Sequence, residues 1–121
     1  MPELVSSEEE IILYYNPNSP SGKKTLSYAK GEGYALRDVD ILKNKFTGTQ
    51  LEELAERLNL PLDGLVNKEH PDFDGRYEHS EFSDNDWIKV IQKNPQFLRE
   101  PIAIRGHQAI FVKTPSDLSR L

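Results

Sequence analysis

The feature of this sequence that most constrains its fold is a short apolar run leading directly into a proline-containing loop. Residues 11–15 read Ile-Ile-Leu-Tyr-Tyr, a continuous apolar run typical of a buried central strand. After the loop at residues 16–18, Ser19 precedes Pro20, as an N-cap residue precedes a proline at the first helical position. The sequence therefore predicts a strand that turns sharply into a helix reaching about Lys30.

Further strand and helix signals follow along the chain. Residues 34–39 alternate closely enough for a second strand, and Thr49-Gln50-Leu51-Glu52 fits a capping box that opens an amphipathic helix. A short helix is expected over residues 62–66. Ser83 is expected to cap another helix, which ends before Pro95. The inward face of that helix is predicted to carry Trp87, Ile88, Val90 and Ile91.

The C-terminal part of the chain predicts a hairpin and completes the fold class. Residues 101–104 and 109–112 flank Arg105-Gly106-His107-Gln108, which is a hairpin signal, and Pro115 begins a short terminal helix. The predicted order is β-α-β, a helical middle, then β-β-α. This order is that of an α/β protein with a thioredoxin-like fold, a mixed four-stranded sheet and an inserted helical segment.

Length and charge restrict the class of protein. The 121 residues are enough for one domain, which we place at residues 10–121 after a loosely ordered lead-in at residues 1–9. Acidic side chains outnumber basic ones by 20 to 15, which disfavours direct binding to nucleic acid. Because the chain has no apolar run of ~20 residues and no signal-peptide layout, we expect a cytoplasmic protein without membrane contact.

Three motifs occur in order from about residue 10 to the end of the chain. They are YYNPNSPSGKKTL, FSDNDWIKVIQKNPQFLREPIAI and VKTPSDL. The first resembles the cysteine-bearing loop and first helix of the glutaredoxin-dependent arsenate reductase family, which includes the Spx-type regulators. The second and third resemble the helix, Arg-Pro segment and final strand of that family. The resemblance implies the same thioredoxin-like fold and a cis bond before Pro101.

The same resemblance implies that the reductase chemistry has been lost. The chain has no cysteine, and Ser19 stands at the position of the family's nucleophilic cysteine, with Tyr15 at that of a neighbouring histidine. Asn67, Glu100 and Thr114 occupy the positions of three arginines that hold the oxyanion. Reduction of As(V) needs a sulfur that bonds arsenic and then forms a disulfide, and a serine oxygen does neither. We therefore expect no catalytic residue and no reductase activity.

The former active-site groove is a candidate binding site. We predict that its residues are Asn16, Ser19, Ser21, Gly22, Lys23, Asn67 and Pro101. We interpret Ser19 as a helix N-cap, which contributes ~1 kcal/mol, and the lysines at 23 and 24 as solvent-facing. The alternative is a weak phosphate or carboxylate site at the helix N-terminus.

The loop at residues 68–79 is a second place where ligating side chains gather. It contains His70 and His79 with several carboxylates, but their spacing matches no zinc or calcium pattern, so we expect no metal. Arg76 is a candidate to reach the groove in place of a lost arginine. Otherwise we expect an ordinary polar loop.

Three functions are compatible with these residues. The first is a non-catalytic binding or regulatory protein without a cofactor, whose groove accepts an unidentified protein or a small anion. The second is an oxidoreductase or transferase that binds glutathione or another thiol, so that the partner supplies the sulfur. The third is a Spx-like adaptor of RNA polymerase, which rests on analogy of fold alone. We expect a monomer.

Overall fold

A computed structural model describes residues 7–73 and 82–121 of the chain. Its sheet has four strands, which are β1 (Ile11–Tyr15), β2 (Leu36–Asp40), β3 (Ile102–Arg105) and β4 (Gln108–Phe111). They lie in the order β2-β1-β3-β4, with β1 parallel to β2 and antiparallel to β3. β4 pairs antiparallel with β3. This mixed sheet confirms the predicted thioredoxin-like fold.

The helices lie where the connections between strands require them. The α-helices in the described ranges are α1 (Pro20–Gly31), α2 (Gly48–Arg57) and α3 (Asp84–Lys93). Single turns of 3₁₀ helix form at Leu62–Leu65 and Pro95–Phe97, and a longer one forms at Pro115–Arg120. The helical segment predicted between the two halves of the fold is therefore present as α2, α3 and the turns beside them.

The two faces of the sheet carry two separate cores. Successive strand residues point to opposite faces, so Ile12 and Tyr14 of β1 face the core formed with α2 and α3. Ile11 and Leu13 face the smaller core formed with α1 and the C-terminal 3₁₀ helix. β1 is buried along almost its whole length because both of its faces are covered. This burial is what fixes the position of the loop that follows it.

Both ends of α1 follow local chemistry. Ser19 is the N-cap, and its Oγ accepts a hydrogen bond from the Gly22 amide at 2.8 Å. Pro20 takes the first helical position, as predicted. Beyond the last helical residue, Gly33 adopts a φ of +75°, which a residue without a Cβ does easily. The chain then enters β2 at Leu36, two residues later than the predicted start at Tyr34.

The predicted cap of α2 was wrong by two residues. Thr47, not Thr49, is the N-cap, and the reciprocal bonds of its capping box join Thr47 and Gln50. Both Thr47 and Thr49 precede a Glu or Gln by three positions, so the motif alone does not choose between them. The earlier start adds two residues, Gly48 and Thr49, and a Cβ on Gly48 would lie 3.5 Å from Ile88 of α3.

The predicted cap of α3 is confirmed, whereas the hairpin turn is shorter than predicted, because Arg105 and Gln108 pair within β3 and β4. Ser83 forms a capping box with Asp86 at the start of α3. The four apolar residues predicted for its inward face are all buried: Trp87, Ile88, Val90 and Ile91. The peptide bond between Glu100 and Pro101 is cis, as the resemblance implied.

In the part of the chain that the structure describes, no helix is long and apolar enough to cross a membrane. The first six residues of the predicted lead-in lie outside the described residues. Arg76 and His79, singled out in the sequence, lie outside them as well.

Candidate functional site

The loop between β1 and α1 is held by its own polar groups. The Asn16 carbonyl accepts a hydrogen bond from the Ser19 amide at 3.0 Å, and Asn16 Oδ1 accepts one from the Asn18 amide at 2.8 Å. Two turns around one asparagine therefore carry the chain from the sheet into the helix. Ser19 is held at the junction, which is where its sequence position predicted it.

The Ser19 hydroxyl has a structural task, and neither of the nearby candidates Tyr15 and His70 acts on it as a base. Its oxygen caps α1 by accepting from the Gly22 amide. Tyr15 directs its hydroxyl to Asp38 at 3.4 Å. His70 uses Nδ1 to accept from the Asp72 amide, and its ring packs edge-on against Phe97. A serine becomes a nucleophile only when a base takes its proton, and neither Tyr15 nor His70 directs a polar group to it; the group that its side chain hydrogen-bonds is the Glu100 carboxyl.

Glu100 brings a carboxylate from the far end of the chain to the same loop. Its Oε1 accepts a hydrogen bond from the Asn16 amide at 2.9 Å. Burial raises the pKa of Glu100 above its ordinary value, while hydrogen bonding from the Asn16 amide and the Ser19 side chain lowers it in part. The Glu100 carboxyl therefore lies beside the N-terminus of α1, where the helix dipole favours its ionised form.

Gly22 makes room for this arrangement. A Cβ at this buried position would lie 2.5 Å from the Asn16 carbonyl oxygen. It would also lie 3.0 Å from both Glu100 Oε1 and Ser19 Oγ. No side chain fits within these distances, so the close approach of loop, helix and carboxylate depends on glycine.

An open cleft of about 530 Å³ lies against this loop. One wall is the loop itself, and the others come from the segment after the 3₁₀ helix at 62–65, from the segment before β3 and from the end of β4. The lining residues are Asn16, Asn18, Ser19, Asn67, His70, Gln96, Leu98, Arg99, Glu100, Phe111, Val112 and Lys113. Most of these residues are polar, so the cleft suits a polar ligand.

Two cations line the cleft that the sequence analysis did not assign to it. Arg99 and Lys113 are both exposed. Each lies one residue before a position from which the resemblance implied that an arginine had been lost, Glu100 and Thr114. The loss of positive charge inferred from the sequence is therefore incomplete.

Arg99 is fixed by contacts that sequence reasoning does not reveal. Its guanidinium carbon lies 4.1 Å from the centre of the Phe111 ring, a cation–π contact. Its NH1 donates to the Gly64 carbonyl at 2.9 Å, and its backbone amide donates to the Leu65 carbonyl. Its adjacency to the implied arginine position was the one signal available in the sequence.

Asn67 lines the cleft next to the segment that carries Arg99. Its backbone amide donates to the Phe97 carbonyl at 2.7 Å, beside a bridge between Val66 and Leu98. Its side-chain Oδ1 accepts from the Glu69 amide, and its side-chain NH₂ group makes no hydrogen bond among the described residues.

The predicted groove residues divide into two groups. Asn16, Ser19 and Asn67 lie together in the cleft, whereas Ser21, Gly22 and Lys23 are not among its lining residues. Ser21 and Lys23 are exposed, and Gly22 is buried beneath the loop.

Pro101 does not line the cleft either. It is fully buried, and its carbonyl accepts a hydrogen bond from the Val112 amide at 2.9 Å. Because proline has no amide hydrogen and its carbonyl already accepts from Val112, its backbone offers little to a ligand. No group of three or more potential metal ligands occurs within residues 7–73 and 82–121.

Solved structures with a similar fold include arsenate reductases and related proteins. A putative arsenate reductase from Yersinia pestis has a TM-score of 0.84 and 17% identity, over 93% of this chain and 100% of that one. An arsenate reductase from Vibrio cholerae has a TM-score of 0.83 and 18% identity, over 94% and 98% of the two chains. An arsenate-reductase-related protein from Brucella melitensis has a TM-score of 0.67 and 15% identity, over 96% and 97%.

This chain is a thioredoxin-like protein with a serine, and no sulfur, at the junction of β1 and α1. More specifically, it has the fold of the arsenate reductases, as the three sequence motifs implied. No family model matches the sequence, and no curated protein matches it.

Proposed function

We propose that this protein binds an anionic ligand in the cleft beside Ser19 and does not reduce it. The cleft is open, mostly polar and large enough for a small molecule or for one side chain of a partner. The protein would then use an arsenate-reductase fold for recognition alone.

One observation carries the proposal. The Arg99 guanidinium lies over the Phe111 ring and donates a hydrogen bond to the Gly64 carbonyl, so it is preorganised in the wall of the cleft. Lys113, two residues after Phe111, lines the same cleft. A fixed guanidinium binds carboxylates and phosphates well, because little side-chain freedom is lost on binding. Neither Arg99 nor Lys113 forms an ion pair among the described residues.

The residues at the loop argue against reductase chemistry. Arsenate reduction passes electrons from sulfur to arsenic, and the chain contains no sulfur nucleophile. Ser19 Oγ is engaged as a helix cap, and Glu100 brings a negative charge to the place where an oxyanion would bind. Like charges ~4 Å apart repel by about 1 kcal/mol in water and by more where water is excluded.

Thermal unfolding with and without ligand tests the proposal. Phosphate, sulfate, arsenate and glutathione are the probes, since glutathione also covers the reading in which a partner supplies the sulfur. A ligand at 100 times its Kd stabilises the folded state by about 2.7 kcal/mol, which raises the melting temperature by several degrees.

Two substitutions give the test its specificity. Arg99→Met should abolish the ligand-induced shift. Lys24→Met removes the same charge from an exposed side chain outside the cleft and should leave the shift unchanged. A shift that survives in Arg99→Met would contradict the proposed site, and the absence of any shift with all four probes would contradict small-anion binding.

A further inference from the structure

We infer that the Glu100 carboxylate is the resident anion of the α1 N-terminus, and that it confines an external anion to the Arg99–Lys113 side of the cleft. The second half of this inference rests on the proposed binding function. The first half concerns only contacts within the chain, and the experiment below separates the two.

The donors that would bind an anion at the start of α1 are already used. Pro20 has no amide hydrogen, the Gly22 amide donates to Ser19 Oγ, and the Lys23 amide donates to the Ser19 carbonyl. The Asn16 amide, just before the helix, donates to Glu100 Oε1 at 2.9 Å. Of the first-turn amides, only that of Ser21 makes no hydrogen bond within residues 7–73 and 82–121.

The absence of a side chain at Gly22 gives the Glu100 carboxylate room beside the loop. Gly22 brings its Cα so close to the Asn16 carbonyl, Ser19 Oγ and Glu100 Oε1 that any Cβ would displace one of them. Glu100 is itself fixed at the start of β3 by the buried Pro101 that follows it. The carboxylate therefore meets the loop as an internal ligand held from both sides.

Glu100 forms no ion pair with any described residue, and this has a consequence for the neighbouring cations. Arg99 directs its guanidinium to Phe111 and the Gly64 carbonyl, away from the carboxylate beside it in sequence. The charges of Arg99 and Lys113 thus stay available to an external anion. The Glu100 carboxylate repels that anion from the N-terminus of α1, so we expect the anion to bind beside Arg99 and Lys113.

Two substitutions of Glu100 distinguish the effect of a side chain that fills the position beside the Asn16 amide from the effect of its negative charge. Glu100→Ala removes the group and frees the Asn16 amide, whereas Glu100→Gln keeps the position filled and removes only the charge. The measurement is a titration of the full-length protein with inorganic phosphate at constant pH, followed through backbone amide resonances in ¹H–¹⁵N NMR spectra.

The inference predicts a different response for each protein. In the wild type, phosphate should move the amide resonances of Arg99 and Lys113 and leave those of Asn16 and Ser21 in place. In Glu100→Ala, phosphate should also move Asn16 and Ser21. In Glu100→Gln, those two should stay in place, while binding at Arg99 and Lys113 tightens by roughly 2- to 5-fold because a like charge has gone.

The outcomes distinguish this inference from the proposed function. If the wild type shows no response but Glu100→Ala responds at Asn16 and Ser21, the resident anion is supported and the binding function fails. If phosphate already moves Asn16 and Ser21 in the wild type, or leaves them unmoved in Glu100→Ala, the inference is overturned.

A second measurement applies if Glu100→Ala does not fold. In the wild type, titrating the pH through the ionisation of Glu100 should move the Asn16 amide resonance, and Glu100→Gln should remove that movement. An Asn16 resonance that ignores pH, or that responds equally in Glu100→Gln, would overturn the inference.

Discussion

The Ser19 hydroxyl and the Glu100 carboxylate meet above Gly22, each with an oxygen 3.0 Å from the point where a Cβ on that glycine would lie. Ser19 caps the helix, and Glu100 accepts the Asn16 amide. The junction of strand and helix therefore contains an alcohol and a carboxylate that serve the structure. The predictions below follow from these contacts.

Glu100 should make the folded protein less stable as the pH rises above 4.5. Burial raises the pKa of Glu100 from its ordinary value of 4.5. The folded protein then holds this proton more tightly than the unfolded chain, so the contribution is fully present below pH 4.5 and is lost as the pH rises through the raised pKa. The free energy of unfolding of Glu100→Gln, relative to the wild type, should increase over that interval in denaturant titrations.

Asp117 provides a control of opposite sign. Hydrogen bonds from the Thr114 and Lys113 amides lower the pKa of Asp117 from its ordinary value of 3.8. Its contribution is present above pH 3.8 and is lost as the pH falls through the lowered pKa. Asp117→Asn should therefore be less stable than the wild type at neutral pH, with a difference that shrinks in acid. If the unfolding free energy relative to the wild type changed with pH in the same direction for Glu100→Gln and Asp117→Asn, the opposite pKa shifts of Glu100 and Asp117 would be contradicted.

Gly22→Ala should destabilise the protein by roughly 1–3 kcal/mol, the range for adding a methyl group to a closely packed position. Its Cβ would lie 2.5 Å from the Asn16 carbonyl oxygen. Gly31→Ala is the matched control in the same helix, because a Cβ there has no neighbour within 4 Å. That variant should be as stable as the wild type or more stable by ~0.4–1 kcal/mol. Equal effects of the two substitutions in thermal or denaturant unfolding would show that the loop does not need glycine.

Ser19→Ala should cost about 1 kcal/mol of unfolding free energy, because the Gly22 amide loses its cap. Ser21→Ala is the comparison, since Ser21 is exposed and its side chain makes no hydrogen bond among the described residues. Its effect should stay within about 0.5 kcal/mol. If Ser19→Ala is as harmless as Ser21→Ala, the hydroxyl is not serving as a cap, and a chemical role would have to be reconsidered.

Local chemistry made much of the fold predictable. Ser19 with Pro20, and Ser83 with Asp86, are signals contained within a few residues, and the structure uses both. The cap of α2 was missed because Thr47 and Thr49 both satisfy the motif. The short motif therefore cannot distinguish them, and the structure uses Thr47.

The site was less predictable because its charges depend on tertiary contacts. The position of Arg99 follows from Phe111 and from the Gly64 carbonyl, neither of which is near it in sequence. Pro101 was expected in the groove, and pairing with Val112 buries it instead. Glu100 was identified at the position of an oxyanion-holding arginine, but its contact with the Asn16 amide could not be read from the sequence.

The most direct test of binding without reduction is arsenite production from arsenate, in the presence of glutathione and glutaredoxin. The account predicts that neither the wild type nor Ser19→Cys forms arsenite above the rate without protein. Ser19→Cys supplies the sulfur, but Glu100 still occupies the helix end where the oxyanion would bind. Arsenite formation that rises in proportion to the concentration of the wild-type protein would contradict the account.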